Sequence, residues 1–423
     1  MATSTIRYGM GVTQEVGMDF QNMGAKKVCL MTDKTVGKLP PMQIVLEAMT
    51  KAGINFEVYD NIRVEPTDSS FNAAIDFAKK GNFDAYLAVG GGSVMDTCKA
   101  ANLFAAHPDA ELLDFVYPHI GKGLPVTNQL KPLIAVPTTS GTGSETTGVA
   151  VFDYEPMKAK IEYVTQHYHA FLALLFLSVR LGPQCSMVKG VKFAISDRLF
   201  HALESYTAIP YQERRPRPQN PIQRPAYQGS NPISDVWSLH ALRIINKFMK
   251  RAVRNADDTE ARSNMHLAST FAGIGFGNAG VHLCHGMSYP ISGLVKKFKS
   301  KDYSDDHPLV PHGLSVVVSA PAVFQFTAPM CPERHLEAAE ILGSHDIRNA
   351  KREDAGPILA DVLRKFVKDL DVDDGLQALG YSTEDIPALV KGTLPQHRVT
   401  KLSPRPQTEE DLAGLFEASM KIY

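Results

Sequence analysis

Three glycines and a serine, Gly90-Gly-Gly-Ser93, end a short apolar run and lead into a helical pattern. Glycine lets the backbone come close to a diphosphate, and a helix N-terminus offers unpaired N–H groups and a partial positive charge. The stretch reads as a phosphate cradle with Ser93 at the N-cap; its plainer reading is a glycine-rich turn between strand and helix. A second apolar run empties into Ala135-Val-Pro-Thr-Thr-Ser-Gly-Thr-Gly-Ser-Glu145, whose hydroxyls and small residues hydrogen-bond rather than pack a core. Two such strand-ends in one α/β pattern point to a nucleotide lying across the carboxyl edge of a parallel sheet. A third, Val28-Cys-Leu-Met-Thr-Asp33, finishes in a carboxylate that can accept from an adenosine ribose and so favours NAD over NADP. The plainer role for Asp33 is a helix cap.

A second constellation lies downstream. Asp197 and His201 are four apart, so on a helix they share a face. His285, in Leu283-Cys-His-Gly-Met287, and His312, in Leu309-Val-Pro-His-Gly313, complete a set of three imidazoles and one carboxylate. Such a borderline donor set accepts Fe2+, Zn2+ or Mn2+. Spacing by itself is a weak signal in a chain with 14 histidines. Gly275-Phe-Gly-Asn-Ala-Gly280 formally matches GxGxxG, but it follows a helical pattern at 265–271, not a strand, and reads as close helix packing.

The elements that must carry these residues fall into two textures. Apolar runs at 28–32, 56–59, 85–89 and 133–137 alternate with amphipathic segments, which predicts βαβ units and a parallel sheet. From about 233, apolar residues recur at three and four positions in 236–250, 262–276, 336–342, 358–370 and 410–420, predicting an all-helical half. Between them, 210–232 is rich in proline and carries Arg214, Arg215, Arg217 and Arg224; it reads as a long surface loop, one of whose arginines can hold a carboxylate.

Composition excludes several classes. A net charge of −1 leaves no electrostatic footprint for nucleic acid. Cys29, Cys98, Cys185, Cys284 and Cys331 are scattered without a CxxC pair, which speaks against a disulfide framework and for reduced, intracellular chemistry. The longest apolar run, 170–179, falls far short of the roughly 20 residues of a membrane span. Residues 1–10 hold one arginine and no visible transit-peptide pattern.

Taken in order, Gly90-Gly-Gly-Ser-Val-Met-Asp96, Pro137-Thr-Thr-Ser-Gly-Thr-Gly-Ser-Glu145, Asn231-Pro-Ile-Ser-Asp235, Asn278-Ala-Gly280 and Pro311-His-Gly313 resemble the motifs of the iron-containing (group III) alcohol dehydrogenase family over nearly the whole chain. The resemblance implies an α/β, Rossmann-like NAD-binding domain at 1–200 and an all-α, metal-binding domain at 201–423, as in dehydroquinate synthase-like folds. Carried over by position, Gly91, Gly92 and Ser93 hold the pyrophosphate, with Asp96 counted among the cofactor-binding residues. Thr138, Thr139 and Thr142 line NAD(H), and Asp33 serves the ribose. Asp197, His201, His285 and His312 hold a divalent metal, Fe2+ before Zn2+. Tyr289 stands where many relatives have a second histidine near the nicotinamide; it offers a hydroxyl and joins His285 as a catalytic residue. The likeness is greatest to an animal mitochondrial branch, through Thr97-Cys-Lys-Ala-Ala-Asn102, His201-Ala-Leu-Glu-Ser-Tyr206 and His282-Leu-Cys-His-Gly-Met-Ser-Tyr289. That branch implies oxidation of 4-hydroxybutyrate to succinate semialdehyde with reduction of 2-oxoglutarate to 2-hydroxyglutarate through bound NAD(H). Both substrates are small acids that need a cationic pocket, for which Arg214, Arg215 or Arg217 stand. The reading admits a homo-oligomer.

From residue 162 to 200 the family's landmarks are missing, and the likeness resumes at His201. The segment reads as the product of an aberrant exon or of a gene-model error, with Asp197 at the family's spacing in surroundings that do not match. Two other functions stay open: a plain NAD-dependent alcohol dehydrogenase that releases NADH each turnover, and a nucleotide-binding but catalytically silent chain.

Overall fold

The computed structural model describes residues 4–118, 120–164, 172–173, 187–220, 224–300 and 307–423, with the backbone alone at 164, 172–173, 187–196 and 346. The chain divides into two compact units, Met1–Met157 with Ile161–Cys185, and Lys158–Lys160 with Ser186–Tyr423.

The first unit is built on a parallel sheet of β1 (Thr5–Ile6), β2 (Lys27–Met31), β3 (Asn55–Tyr59), β4 (Ala85–Gly90), β5 (Leu133–Pro137) and β8 (Leu172–Ala173), ordered β1-β8-β5-β4-β2-β3. A second sheet pairs β6 (Val149–Tyr154) with β7 (Ala159–Val164). Every residue of β4 and β5 is buried, because helices cover both faces of a parallel sheet and its inner strands read as unbroken apolar runs. Side chains alternate between the faces. Val28, Leu30, Ala85, Leu87, Val89, Ile134 and Val136 enter one core with Val16 and Phe20 of α1 (Val16–Asn22) and Val45 and Met49 of α2 (Pro40–Lys51). Cys29, Met31, Tyr86, Ala88, Leu133 and Ala135 enter the other, against Phe71 and Ala74 of α3 (Asp68–Gly81) and Met95 and Cys98 of α4 (Gly92–Ala106). Thr67 starts α3 with a capping box, its side chain accepting from the Ser70 N–H.

The second unit is helical: α5 (Met187–Thr207), α6 (Pro232–Arg254), α7 (Thr259–Ala279), α8 (Leu283–Gly293), α9 (His312–Val317), α10 (Ala320–Thr327), α11 (Pro332–Ile341), α12 (Ala355–Asp369), α13 (Gly375–Ala378), α14 (Ile386–Thr393), α15 (His397–Thr400) and α16 (Glu409–Ala418). The GxGxxG stretch lies at the end of α7, where a Cβ on Gly275 would come within 2.4 Å of Ser238 Oγ on α6. Gly275 serves helix packing, while Gly280, at φ 92, is the C-cap of α7.

α5 runs through residue 200 as one continuous helix, Met187–Thr207. Most of 162–200, and of the apolar run 170–179, lies outside the described residues; β8 occupies a place in the sheet between β1 and β5. The stretch 210–232 is only partly a surface loop: Arg215, Arg217 and Arg224 are exposed, whereas Arg214 and Tyr227 are buried. Cys29, Cys98, Cys284 and Cys331 are free thiols, and Cys185 lies outside the described residues. No described helix is long and apolar enough to cross a membrane.

Candidate functional site

The phosphate cradle forms where β4 ends and α4 begins. Gly91, extended at φ −82 and ψ −170, is the N-cap, not Ser93. Ser93 lies in the first turn of α4, and its Oγ accepts from the Glu65 N–H at 3.2 Å. The glycines are required by what lies over them. A Cβ on Gly91 would come 3.1 Å from Thr139 Cγ2, and one on Gly92 would come 2.6 Å from Thr142 Cγ2 and 2.8 Å from Thr142 Oγ1. The threonine loop and the glycine turn are thus in direct contact. Thr138 donates its N–H to Gly90 O at 2.9 Å. Its hydroxyl is buried without a hydrogen-bond partner, a state that a bound polar ligand corrects.

Two further residues hold that loop in place. Asp96 accepts from Ser144 Oγ at 2.5 Å and from the Val151 N–H at 3.1 Å. The Asp96 carboxylate thereby anchors the loop. Lys99, fully buried, donates to Ser144 O and Ser144 Oγ, both at 2.7 Å, and to Val149 O at 2.8 Å. Burial lowers the Lys99 ammonium pKa and raises that of the Asp96 carboxyl, and their mutual attraction opposes both shifts. Lys99 was not singled out from sequence; the signal was the lone basic residue of α4, one turn after an aspartate. Asp33 spends Oδ1 on the N–H groups of Thr35 and Val36, each at 2.8 Å, a local turn ahead of the short helical turn Val36–Lys38, whose N-cap is Thr35.

The second constellation sits in the helical unit. α5 contributes Asp197 and His201, α8 contributes His285, and α9 opens with His312. One donor atom from each lies within 4.8 Å of all the others. Asp197 Oδ1 is 3.7 Å from both His285 Nε2 and His312 Nε2, and Asp197 Oδ2 is 3.7 Å from His201 Nδ1. These separations are too long for hydrogen bonds and suit donors around one cation. Asp197 Oδ1, His201 Nδ1 and His285 Nε2 are buried without a hydrogen-bond partner. Buried lone pairs left this way are costly unless a ligand satisfies them, so the residues present fit a divalent metal. The His201 ring stacks on Phe276 at 4.1 Å and 12°, which fixes its plane.

Glu204 completes the arrangement and was not identified from sequence as a functional residue. It is fully buried one turn beyond His201, so Asp197, His201 and Glu204 form a single stripe on α5. One of its oxygens accepts from His285 Nδ1, and the other accepts from the Cys284 N–H at 2.6 Å. With one proton held at Nδ1, His285 turns Nε2 to the cluster and offers its lone pair there once the second proton leaves, the usual carboxylate–histidine–metal relation. Burial works against charge here, yet the imidazoles of His201, His312 and His285 hold the Asp197 carboxyl well below the usual range. Burial likewise favours neutral His285, but Glu204 and Asp197 outweigh it and push the imidazole up to about 9. Desolvation dominates at His201, which falls to about 3. Replacing Glu204 by Gln should weaken divalent-metal binding by about 10- to 100-fold, the usual cost of losing such a partner. Titration of metal-stripped protein against a chelating indicator measures this; an unchanged affinity would mean that Glu204 only packs.

Tyr289 is buried on α8 one turn after His285, on the same side of that helix. Asp197 holds its place in the cluster although the segment leading to it departs from the expected pattern.

The sequence profile of the iron-containing alcohol dehydrogenase family matches residues 3–176, and that of the C-terminal part of the Fe-containing alcohol dehydrogenase family matches 226–420. The chain is similar to the mitochondrial hydroxyacid-oxoacid transhydrogenase of Rattus norvegicus, with 70% identity over 423 residues, all of this chain and 90% of the relative. The Homo sapiens protein of the same name is 68% identical over the same shares. A probable mitochondrial hydroxyacid-oxoacid transhydrogenase of Dictyostelium discoideum is 49% identical over 438 residues, all of this chain and 79% of the relative. In fold, the chain is similar to a 1,3-propanediol oxidoreductase, with 24% identity, a TM-score of 0.83 and coverage of 99% and 98% of the two chains. It is also similar to butanol dehydrogenase A of Thermotoga maritima, at 21% identity, a TM-score of 0.80 and coverage of 100% and 98%. With both profiles matched in order and relatives of such identity spanning it end to end, the chain belongs to the iron-containing alcohol dehydrogenase family.

Proposed function

We propose that this chain is a hydroxyacid-oxoacid transhydrogenase, working in mitochondria on small acids: 4-hydroxybutyrate is oxidised to succinate semialdehyde while 2-oxoglutarate is reduced to 2-hydroxyglutarate. The observation that carries this reading is the 70% identity, along the entire chain, to a relative of that name. The reaction balances without an outside oxidant, since the hydroxy acid gives up a hydride and a proton and the oxo acid takes up both. When bound, NAD(H) stores the hydride, and a divalent metal, taken here as Fe2+, supplies Lewis acidity toward the substrate oxygen.

The chain's own residues divide the remaining tasks. Gly91 and Gly92 give the diphosphate access to the backbone at the start of α4, while Thr138, Thr139 and Thr142 supply hydroxyls along the cofactor. Asp96 and Lys99 hold the threonine loop at its working distance, and Asp33 stands at the ribose end. Asp197, His201, His285 and His312 are the metal ligands, with Glu204 keeping the His285 proton on Nδ1. Tyr289 offers a hydroxyl for proton transfer.

Purified protein incubated with 4-hydroxybutyrate and 2-oxoglutarate, with no added NAD, should form succinate semialdehyde and 2-hydroxyglutarate in equal amounts. Semialdehyde that forms only when NAD+ is added would instead make the chain an NAD-releasing alcohol dehydrogenase. Folded protein yielding neither product under both conditions would be catalytically silent.

A further inference from the structure

The Glu204 carboxylate lies against the start of α8, where the first N–H groups of a helix lack helical partners and compete for any nearby acceptor. Were it to take the N–H groups of both Leu283 and Cys284, neither oxygen would be committed to His285. A second histidine settles the competition. His282 is fully buried, and its Nδ1 accepts from the Leu283 N–H at 2.8 Å. With that donor taken, one Glu204 oxygen, Oε1, accepts from the Cys284 N–H at 2.6 Å, and the other, Oε2, is turned to His285 Nδ1.

The lone pair on His282 Nδ1 is fixed in turn from α5. The Thr207 hydroxyl gives its hydrogen to the Leu203 carbonyl at 2.7 Å, so toward His282 Nε2, 3.0 Å away, it can only accept. The ring proton is therefore on Nε2. A neutral ring agrees with burial, which lowers the His282 pKa against the pull of Glu204. His282 Nδ1 is also 3.1 Å from Glu204 Oε1. As two acceptors they repel, so His282 offers Glu204 no hydrogen bond to rival His285. A proton on Nδ1 would reverse this and draw the carboxylate toward His282. Thr207 lies one turn beyond Glu204, so α5 carries Asp197, His201, Glu204 and the hydroxyl that sets the tautomer behind them.

We infer that Thr207 and His282 are positioning residues for the metal centre: Thr207 fixes the His282 tautomer, His282 commits Glu204 to His285, and the pair thereby sets how firmly His285 is presented to the cation. This rests on the metal site proposed above and deepens it.

The test is the Co2+ affinity of the full chain, read by competition with a chelating indicator, together with the visible spectrum of the Co2+-loaded protein. Thr207→Val keeps the side-chain shape and removes the hydroxyl; it should weaken Co2+ binding by about 10-fold, the low end of the effect of outer partners, and alter the spectrum. Thr207→Ser keeps the hydroxyl and removes a methyl; it should bind Co2+ as the parent does. A threonine that only packs predicts the reverse order, with Ser the worse of the two. His282→Phe keeps a ring and removes both nitrogens. Alone it should lower the affinity at least as much as Thr207→Val, but added to Glu204→Gln it should cost less than about 2-fold more, because both act on one contact. Unchanged affinity in Thr207→Val, or a full further loss when His282→Phe joins Glu204→Gln, would overturn the inference. A parent chain that binds no Co2+ overturns the metal site and this inference with it, whereas a parent that binds Co2+ while Thr207→Val is unaffected overturns the inference alone. Should His282→Phe not fold, the two Thr207 variants carry the comparison.

Discussion

Asp197→Asn protein is expected to bind divalent metal at least about 100-fold more weakly than the parent chain, a larger loss than the 10- to 100-fold range typical of outer partners such as Glu204. Asp197 is the one carboxylate in the cluster of four donors, and its Oδ1 faces both His285 and His312 at 3.7 Å. An amide keeps the shape and removes the charge that offsets a divalent cation. Metal content after purification, together with competition against a chelator, reads the effect. The variant also judges the segment before His201: if Asp197 reached the family's spacing by coincidence and holds no metal, Asn will leave the affinity unchanged.

The same site predicts a pH dependence with a definite sign. In the metal-free protein His285 titrates near 9, above its ordinary 6.5, because Glu204 and Asp197 outweigh the effect of its burial. Its contribution to stability is therefore complete below about 6.5 and is lost as the pH rises through about 9. A metal needs the Nε2 lone pair, so loading near neutral pH should release a proton, and affinity should rise with pH across the same window. Calorimetric titrations in buffers of different ionisation enthalpy count that proton.

The second large effect is expected at the cradle. Gly92→Val should reduce NADH affinity by about 100-fold or more, because even a Cβ there meets Thr142 Cγ2 at 2.6 Å and the branched side chain must displace the threonine loop. Displacement also strains the anchors from Asp96 and Lys99 to Ser144, so bound cofactor should be lost before global unfolding. Gly414→Ala on α16 is the matched control, since a Cβ there has no neighbour within 4 Å. It should leave NADH binding alone and stabilise the helix by up to about 1 kcal/mol. Fluorescence of retained NADH and the melting temperature separate the two outcomes. If Gly92→Val retains NADH as the parent does, the glycine turn is not the cofactor's seat.

The sequence determined what depends on neighbours along the chain. Strands predicted at 28–32, 56–59, 85–89 and 133–137 are observed at Lys27–Met31, Asn55–Tyr59, Ala85–Gly90 and Leu133–Pro137; the inner three must be apolar on both faces, while Asn55–Tyr59 is the half-exposed edge strand. The helical half was legible from its 3.6-residue periodicity, and Asp197 with His201 from their spacing on one helix. Tertiary structure decided what depends on contacts across the fold. Ser93 yields the cap to Gly91, whose extended backbone lies against Thr139, and the Asp96 carboxylate meets Ser144 and Val151 from across the fold. Glu204 acquires its place only when α8 brings His285 to it. Residue type and local periodicity fix which groups can do chemistry and which face they occupy. The protons, charges and orphaned lone pairs that make those groups a site are set by packing between segments that carry no record of each other in the sequence.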